Sequence, residues 1–316
     1  PHSMKWRVLV SAPYMLPVID RFRESLKADN VELIAAEVNE RLSEEELLKD
    51  IAAYDGIICG DDRITAKVLE AAPRLKVISK WGTGIDSIDA EAAAARGITV
   101  YRTPNAFSEP VADSVLGYML YFARKPHLQN QQIRAGEWKK PNLVALNECT
   151  LGVVGVGDCG KAVARRAIAF GMRVLGNDVA PMPPEFIEAT RIEMVSLDHL
   201  LGQADFVSLN TDLNPTSYHL ISDPQLALMK STAYLINASR GPVVDEPALV
   251  RALRQKQIAG AALDVFEDEP LPTDSPLRNF DNCLFAPHNA NSSPKAWERV
   301  HANTIRNLLL GLQASK

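Results

Sequence analysis

The chain has 316 residues, of which 47% are hydrophobic and 23% charged, so it has the composition of a globular protein and the length of two domains. The formal net charge of −5 and the scattered basic residues argue against nucleic-acid binding, and no apolar stretch approaches a membrane span. The four cysteines form neither a CxxC pair nor a cluster with zinc spacing. We therefore predict no metal site and, without a secretory signal, a cytoplasmic protein with reduced thiols.

Strand and helix patterns alternate through the first hundred residues. The strand patterns lie at residues 5–10, 31–36, 56–59, 76–79 and 98–100. Between them, residues 18–27 are amphipathic, Ser43 with Glu46 forms a capping box, and Thr65 and Asp89 begin two more helices. This alternation predicts a parallel sheet with helices on both faces.

The sequence LGVVGVGDCG near the middle of the chain has the pattern of a buried strand, a glycine turn and a helix start. Gly155 can adopt the tight turn, Gly157 allows the backbone to approach a pyrophosphate, and Gly160 allows the helix to pack close to the strand. Asp158 and Cys159 lie at the helix N-terminus, where N–H groups and the helix dipole favour phosphate. The motif therefore predicts a dinucleotide site.

The strand pattern after this helix, residues 173–177, ends at Asp178. An acid at this point binds the ribose hydroxyls of NAD and disfavours the additional phosphate of NADP, so we predict NAD as the cofactor. The alternative is a structural turn with a solvated Asp178. Cys159 is either a reactive thiol, because a helix N-terminus lowers a thiol pKa, or a small turn residue that faces the cofactor, which we favour.

Strand patterns continue after the motif at residues 205–209, 234–237, 260–263 and 283–285, with helices at 245–254 and 295–310. One continuous helix is predicted from Glu109 to about Arg134, and the segment 181–184, rich in proline, is predicted as a surface loop or short linker. About 150 residues of α/β pattern precede a motif that normally opens a domain. We therefore predict that an NAD-binding Rossmann domain, residues 104–286, is inserted into a substrate domain formed by residues 4–103 and 287–316.

Three ionisable side chains follow predicted strands in the second half of the chain: Arg240, Glu269 and His288. Ligands of open α/β sheets bind outside the carboxyl ends of the strands. The other histidines, including His127, His199, His219 and His301, are predicted to be solvated or core residues. The position of Arg240, Glu269 and His288 after predicted strands therefore favours a catalytic site that these three side chains form next to the dinucleotide.

With these segments, the chain resembles the D-2-hydroxyacid dehydrogenase family over nearly its whole length. The matching segments are KWGTGID at 80–86, TPNA at 103–106, the glycine motif, 237–245, 264–270, and Pro287 with His288. The resemblance implies an α/β fold of two doubly wound parallel-sheet domains, with the Rossmann domain inserted into a flavodoxin-like substrate domain. It also implies a homodimer, formed through the helix at 109–134 and the segment 136–138 that follows it.

The resemblance further implies a hydride transfer between NAD and a D-2-hydroxy acid or its 2-oxo acid. Arg240 would bind the substrate carboxylate and carbonyl, His288 would act as acid and base, and Glu269 would favour the protonated imidazole. Asp264 would contact the nicotinamide carboxamide, and Ala238 would make a backbone contact on the nicotinamide side.

A substrate-binding segment is implied in the other domain, at Lys80, Trp81, Gly82, Thr83 and Gly84. Backbone N–H groups of the last three residues would hold the substrate carboxylate, and glycines permit the close approach. The resemblance also predicts closure of the two domains over the substrate.

Phosphoglycerate dehydrogenases of this type tend to have arginine in the loop after the third strand, where this chain has Asp61 and Asp62. We expect these carboxylates to repel a phosphorylated substrate unless Arg63 turns inward, although Lys80 and Arg102 could bind a distal anion. We therefore predict a small, unphosphorylated hydroxy acid. The alternatives are a phosphoglycerate dehydrogenase proper and an NADH-sensing, corepressor-like binding protein; phosphite or formate oxidation ranks lower.

Overall fold

Residues 5–315 are described by the computed structural model, and they form two units that are each built on a parallel sheet. The first unit contains the chain up to Phe107 and again from Ser293; the second is Ser108–Ser292. Residues 1–4 and 316, which include the outer limits of the predicted substrate domain, lie outside the described residues. No helix in the described part is both long and apolar enough to cross a bilayer.

Five strands form the sheet of the first unit, in the order β2-β1-β3-β4-β5, and all pair in parallel. The strands are β1 (Trp6–Val10), β2 (Val31–Ala35), β3 (Gly56–Cys59), β4 (Val77–Lys80) and β5 (Thr99–Tyr101). The helices are α1 (Ile19–Ser25), α2 (Glu44–Leu48), α3 (Ala66–Glu70), α4 (Ala90–Ala95) and the C-terminal helix Pro294–Gln313. This strand order is that of flavodoxin-like folds, so the predicted fold class is confirmed.

The helix starts in this unit follow the predicted capping chemistry. The Ser43 hydroxyl accepts from the Glu46 N–H at 3.1 Å, and the Glu46 carboxylate accepts from the Ser43 N–H at 2.8 Å. The side chains of Thr65 and Asp89 likewise accept N–H groups in the first turns of α3 and α4. These contacts satisfy backbone donors that have no partner within the helix.

Seven parallel strands form the sheet of the second unit, in the order β12-β11-β10-β9-β6-β7-β8. The strands are β6 (Thr150–Val154), β7 (Arg173–Asn177), β8 (Glu193–Met194), β9 (Phe206–Leu209), β10 (Tyr234–Asn237), β11 (Gly260–Leu263) and β12 (Cys283–Phe285). The helices are α5 (Ser108–Arg124), α6 (Pro126–Arg134), α7 (Asp158–Ala169), α8 (Pro184–Thr190), α9 (Leu197–Gln203), α10 (Asp223–Leu228) and α11 (Glu246–Arg254). This is a Rossmann-type order, with the reversal between β6 and β9.

Alternate residues of these strands enter two separate apolar clusters. On β6, Val154 joins the cluster with α9 and α11, while Leu151 and Val153 join the one with α5 and α7. Because side chains alternate between the faces of a strand, the sheet is covered on both sides. The buried sheet therefore presents its polar chemistry at the strand ends, where the loops begin.

The helix predicted at 109–134 is instead two helices, α5 and α6, because the helical conformation is interrupted at Lys125. Lys125 has a φ of 45°, and Pro126 occupies the first position of α6. A proline disfavours helical backbone at the residue before it and is well tolerated at the start of a helix. The segment 181–184 also differs from its prediction at a proline. Its last residue, Pro184, is not in a loop but is the first residue of α8, a position that proline tolerates well.

Candidate active site

The glycine motif connects β6 to α7, at the point where the strand order of the second unit reverses. A Cβ on Gly160 would lie 2.0 Å from the carbonyl oxygen of Gly155, so a side chain there would force the helix off the strand. A Cβ on Gly157 would meet no described atom within 4 Å. Since Gly160 is required by packing and Gly157 faces open space, the turn fits the close approach of a phosphate.

Asp178 follows β7, and its carboxylate is held by two backbone amides. The N–H of Val156, inside the glycine turn, donates to it at 2.7 Å, and the N–H of Ala180 donates at 2.9 Å. The acid is thereby fixed beside the turn instead of extending into solvent. Together with the N-terminus of the 12-residue helix α7, these groups fit a dinucleotide with an unphosphorylated ribose.

Cys159 does not have the character of a reactive thiol. Burial raises its pKa to about 11, and the nearby carboxylates of Asp158 and Asp212 act in the same direction. The charge of Arg240 opposes this rise, which places the guanidinium within electrostatic range of the glycine turn. The thiol is protonated near neutral pH, so the alternative that we favoured, a small turn residue, agrees with the structure.

Glu269 and His288 form a close pair at the carboxyl ends of β11 and β12. One carboxylate oxygen of Glu269 lies 2.8 Å from Nδ1 of His288, and the other accepts the N–H of Phe266 at 3.0 Å. The side chains are only 7% and 16% exposed, respectively. The carboxylate fixes the imidazole at Nδ1 and orients the ring, an arrangement that is common for histidines that act as acid or base.

The backbone at His288 is held by Asp264, the first residue after β11. His288 has a φ of 50°, and its N–H donates to the Asp264 carbonyl at 2.7 Å. The Asp264 carboxylate accepts the N–H groups of Asn289 and Ala290, at 2.9 and 3.1 Å. Burial raises the pKa of this carboxyl. The resemblance implied a nicotinamide contact for Asp264; in the structure its carboxylate holds the turn that carries the histidine.

Arg240 lies in the loop after β10, directly after Ala238 and Ser239. The loop is organised by Asn237, whose side-chain amide donates to the Arg240 carbonyl at 2.9 Å and whose oxygen accepts the Ser239 N–H at 3.1 Å. Sequence reasoning missed Asn237, although a polar residue at the end of a buried strand is a visible signal. The next residue, Gly241, has no room for a Cβ, which would lie 1.9 Å from the Phe266 carbonyl oxygen. The Arg240 loop and the Glu269 loop are therefore in backbone contact.

All three predicted catalytic side chains belong to the unit that carries the glycine motif. The predicted boundary after residue 286 assigned His288 to the other domain, whereas the structure groups it with Ser108–Ser292. The reason is the set of hydrogen bonds from residues 288–290 to Asp264. Sequence alone shows where the strand pattern ends but not that the following turn stays attached to the sheet.

The predicted substrate segment follows β4 in the first unit. The carbonyl of Gly82 accepts the Thr103 N–H at 2.8 Å, and the carbonyl of Thr83 accepts from Arg102 at 3.2 Å. Holding these two carbonyls also fixes the N–H groups of Thr83 and Gly84, because each peptide unit is planar. Trp81 is buried, and its indole N–H donates to His301 at 2.9 Å, so its ring supports the segment from beneath.

The two carboxylates after β3 have different environments, and only one retains a place at the surface. Asp62 is fully buried and accepts from the Ser11 hydroxyl and the Gly60 N–H. Asp61 pairs with Lys80, whose ammonium nitrogen lies 2.6 Å from the carboxylate and also donates to the Gly60 carbonyl. Because an ion pair cancels both charges, Lys80 has no surplus charge to attract a phosphate, and the expected repulsion by Asp61 is reduced.

His219, predicted to be a solvated or core residue, keeps 30% of its side chain exposed and also contacts a carboxylate. Its Nε2 lies 2.6 Å from the Glu267 carboxylate. These residues are 48 positions apart in the chain, and no periodic pattern links them. The pair lies in loops at the same edge of the second unit's sheet as Arg240 and Glu269.

Comparisons with known proteins agree over most of the chain. The family model "D-isomer specific 2-hydroxyacid dehydrogenase, NAD binding domain" matches residues 116–290. A glyoxylate reductase of Thermofilum pendens is 42% identical over 278 residues, which are 86% of this chain and 82% of that protein. A D-3-phosphoglycerate dehydrogenase of Methanocaldococcus jannaschii is 39% identical over 87% of this chain and 53% of its own length. The structure of a D-lactate dehydrogenase from Aquifex aeolicus, complexed with NAD and lactic acid, is similar with a TM-score of 0.87 and 28% identity, covering 98% of this chain and 96% of that one.

Proposed function

The chain belongs to the D-isomer specific 2-hydroxyacid dehydrogenase family, and we propose that it interconverts a small, unphosphorylated D-2-hydroxy acid and its 2-oxo acid. The enzyme is NAD-dependent. The observation that carries the proposal is the 2.8 Å contact between Glu269 and His288, at the same sheet edge as the glycine motif. Relatives named as glyoxylate reductases make glyoxylate the first substrate to test.

We assign the proton transfer to His288. When bound, NADH supplies the hydride. Because Nδ1 of the imidazole is engaged by Glu269, Nε2 is the atom that would donate a proton to the carbonyl oxygen and recover it in the oxidation direction. Glu269 would keep the ring cationic and oriented before the transfer, as a buried carboxylate does for a neighbouring imidazole.

Arg240 is proposed to bind the substrate. A guanidinium presents paired N–H donors that match a carboxylate and an adjacent carbonyl, and it holds negative charge as the alkoxide develops. The anchoring of its loop by Asn237 supports this role, because it limits how far the backbone of Arg240 can move. The fixed N–H groups of Thr83 and Gly84 are proposed to bind the substrate carboxylate as well.

The preference for an unphosphorylated acid is supported by the Lys80–Asp61 ion pair. A phosphate needs surplus positive charge, and the ammonium of Lys80 is already paired with a carboxylate at 2.6 Å. We therefore propose that Lys80 does not bind a distal anion and that Lys80 and Trp81 support the substrate segment.

A panel of 2-oxo acids tests this function. We expect oxidation of NADH with glyoxylate and hydroxypyruvate, slower oxidation of NADPH because of Asp178, and little turnover of phosphohydroxypyruvate. The loss of reduced-cofactor absorbance measures all three. A much faster rate with phosphohydroxypyruvate would instead identify a phosphoglycerate dehydrogenase, and tight NADH binding without turnover of any acid would favour an NADH-sensing protein.

We also propose a homodimer formed through α6 and the segment after it. Trp138 is 83% exposed, and Ile133 and Val144 are about half exposed, so this segment presents three large apolar side chains to solvent. Large exposed apolar side chains that are grouped together are typical of protein interfaces. We expect the wild-type protein to sediment as a dimer and Trp138→Ser to sediment as a monomer. Phe170→Ser, at an exposed apolar residue outside the segment, is the control, and a monomeric wild type would contradict the proposal.

A cytoplasmic location is proposed from the cysteines. All four, Cys59, Cys149, Cys159 and Cys283, are free thiols in the structure. Free, mostly buried thiols are usual in a reducing compartment. Fractionation of the source cells tests the proposal, and recovery of the protein outside the cytoplasm would reject it.

A further inference from the structure

Glu246, the first residue of α11, makes a hydrogen bond that joins two loops of the active site. Its carboxylate accepts the N–H of Glu267 at 2.7 Å. α11 follows the Arg240 loop, and Glu267 belongs to the turn 266–269 that ends in Glu269. The two adjacent amides of this turn are divided between two acids, since the Phe266 N–H donates to Glu269 and the Glu267 N–H to Glu246.

The His219–Glu267 pair fastens the same turn from a third loop. The imidazole holds the Glu267 carboxylate at 2.6 Å, and the His219 N–H donates to the carbonyl of Pro242 at 2.8 Å. Pro242 follows Gly241, whose backbone is in contact with Phe266. The turn 266–269 is thus held at the N–H groups of Phe266 and Glu267, at the Phe266 carbonyl and at the Glu267 side chain.

The environment of Glu246 does not favour a carboxylate for its own sake. Burial raises its pKa, and the carboxylates of Glu267, Asp268 and Glu269 act in the same direction, against the hydrogen bond from the Glu267 amide. A partly buried acid among three others is unfavourable unless a hydrogen bond offsets the cost. The Glu267 amide supplies that hydrogen bond, so the favourable contact of Glu246 is the one that connects it to the turn 266–269.

We propose that Glu246, together with the His219–Glu267 pair, is a positioning residue that holds the turn 266–269 so that Glu269 meets His288. Glu246 does this through the Glu267 amide and has no contact with the reacting atoms in this scheme. The inference rests on the proposed function for its kinetic consequences, but the hydrogen bond and the Glu269–His288 geometry can be measured without turnover.

Glu246→Ala removes the carboxylate that accepts the Glu267 N–H, whereas Glu246→Gln keeps a side-chain oxygen that can accept it. For the alanine variant we expect kcat for glyoxylate reduction to fall about 10- to 100-fold, as for other small displacements of reacting groups, with NADH affinity unchanged. Reduction needs the protonated imidazole, so the rate is lost as pH rises. If Glu269 is held less firmly, it stabilises the imidazolium of His288 less. The loss of rate should therefore occur at lower pH in the alanine variant than in the wild type. Glu246→Gln should restore most of kcat and the wild-type pH profile. Asp223→Asn, which removes an exposed acid that pairs with Arg251 of α11, is the control and should resemble wild type.

An unchanged kcat and pH profile in Glu246→Ala, or a glutamine variant as slow as the alanine variant, would overturn the proposal. If the alanine variant does not fold, His219→Phe provides the second test, because it removes the contact between His219 and the Glu267 carboxylate. This variant must lower kcat in the same way, and a wild-type rate would reject the positioning role. If the wild type turns over no 2-oxo acid, the proposed function fails by itself. The positioning role is then decided by NMR titration of His288, which must shift to lower pH in Glu246→Ala and stay in place in Glu246→Gln.

Discussion

Replacing His288 with alanine is expected to lower kcat for 2-oxo acid reduction by about 10²- to 10⁴-fold, the range that general acid catalysis contributes. We propose that the imidazole supplies the proton, because its Nδ1 lies 2.8 Å from the Glu269 carboxylate, which orients the ring. The residue lies after β12, whereas the dinucleotide groups follow β6 and β7, so cofactor affinity should not change.

Steady-state rates and NADH fluorescence titration together measure this effect. His199→Ala is the matched control, because His199 is an exposed histidine on α9 in the same unit and should have wild-type kinetics. A His288→Ala enzyme that keeps the wild-type rate would show that the proton comes from another group, and the assignment of Nε2 would be wrong.

Replacing Arg240 with alanine is expected to lower kcat/KM by about 10²- to 10³-fold, comparable with the loss of one donor to a developing oxyanion. The loss should appear both in KM, because the substrate carboxylate loses its partner, and in kcat, because the alkoxide forms without a facing charge. Arg240→Lys keeps the charge but not the paired donors, so we expect it to recover only a small part of the activity.

The loop around Arg240 should survive these changes, because Asn237 binds the backbone of residues 239 and 240 and not the guanidinium. Thermal unfolding with and without NADH checks this. Arg254→Ala, at an exposed arginine on α11, provides the control for loss of a positive charge. Wild-type kcat/KM in Arg240→Ala would remove the residue from the site.

The strands and the dinucleotide turn were predictable because their signals are local. Buried strands are continuous apolar runs, and GVGDCG places glycines where the turn and the helix packing need them. The helix break at Lys125 was also readable from the sequence, since Pro126 disfavours helical backbone at the residue before it.

The contacts that organise the site were not predictable from the chain. The bonds from Glu246 to Glu267 and from His219 to Glu267 join loops 21 and 48 residues apart, and loop pairing has no period to detect. Whether an acid faces the substrate or its own loop also depends on geometry: Asp62 has the same side chain as Asp61, yet it is buried against Ser11. Residue type thus led to a proposal for the chemistry of the site, whereas the different environments of similar residues became visible only in the tertiary contacts.

The left-handed backbone at His288 has a consequence for anyone who would transplant this site into another scaffold. A side chain other than glycine in that conformation costs about 1 kcal/mol or more, so an isolated histidine would relax and turn its ring away. In this protein the three hydrogen bonds between Asp264 and residues 288–290 prevent that relaxation. A grafted imidazole–carboxylate dyad without an equivalent of Asp264 would therefore contain the right residues, but its imidazole would point in the wrong direction.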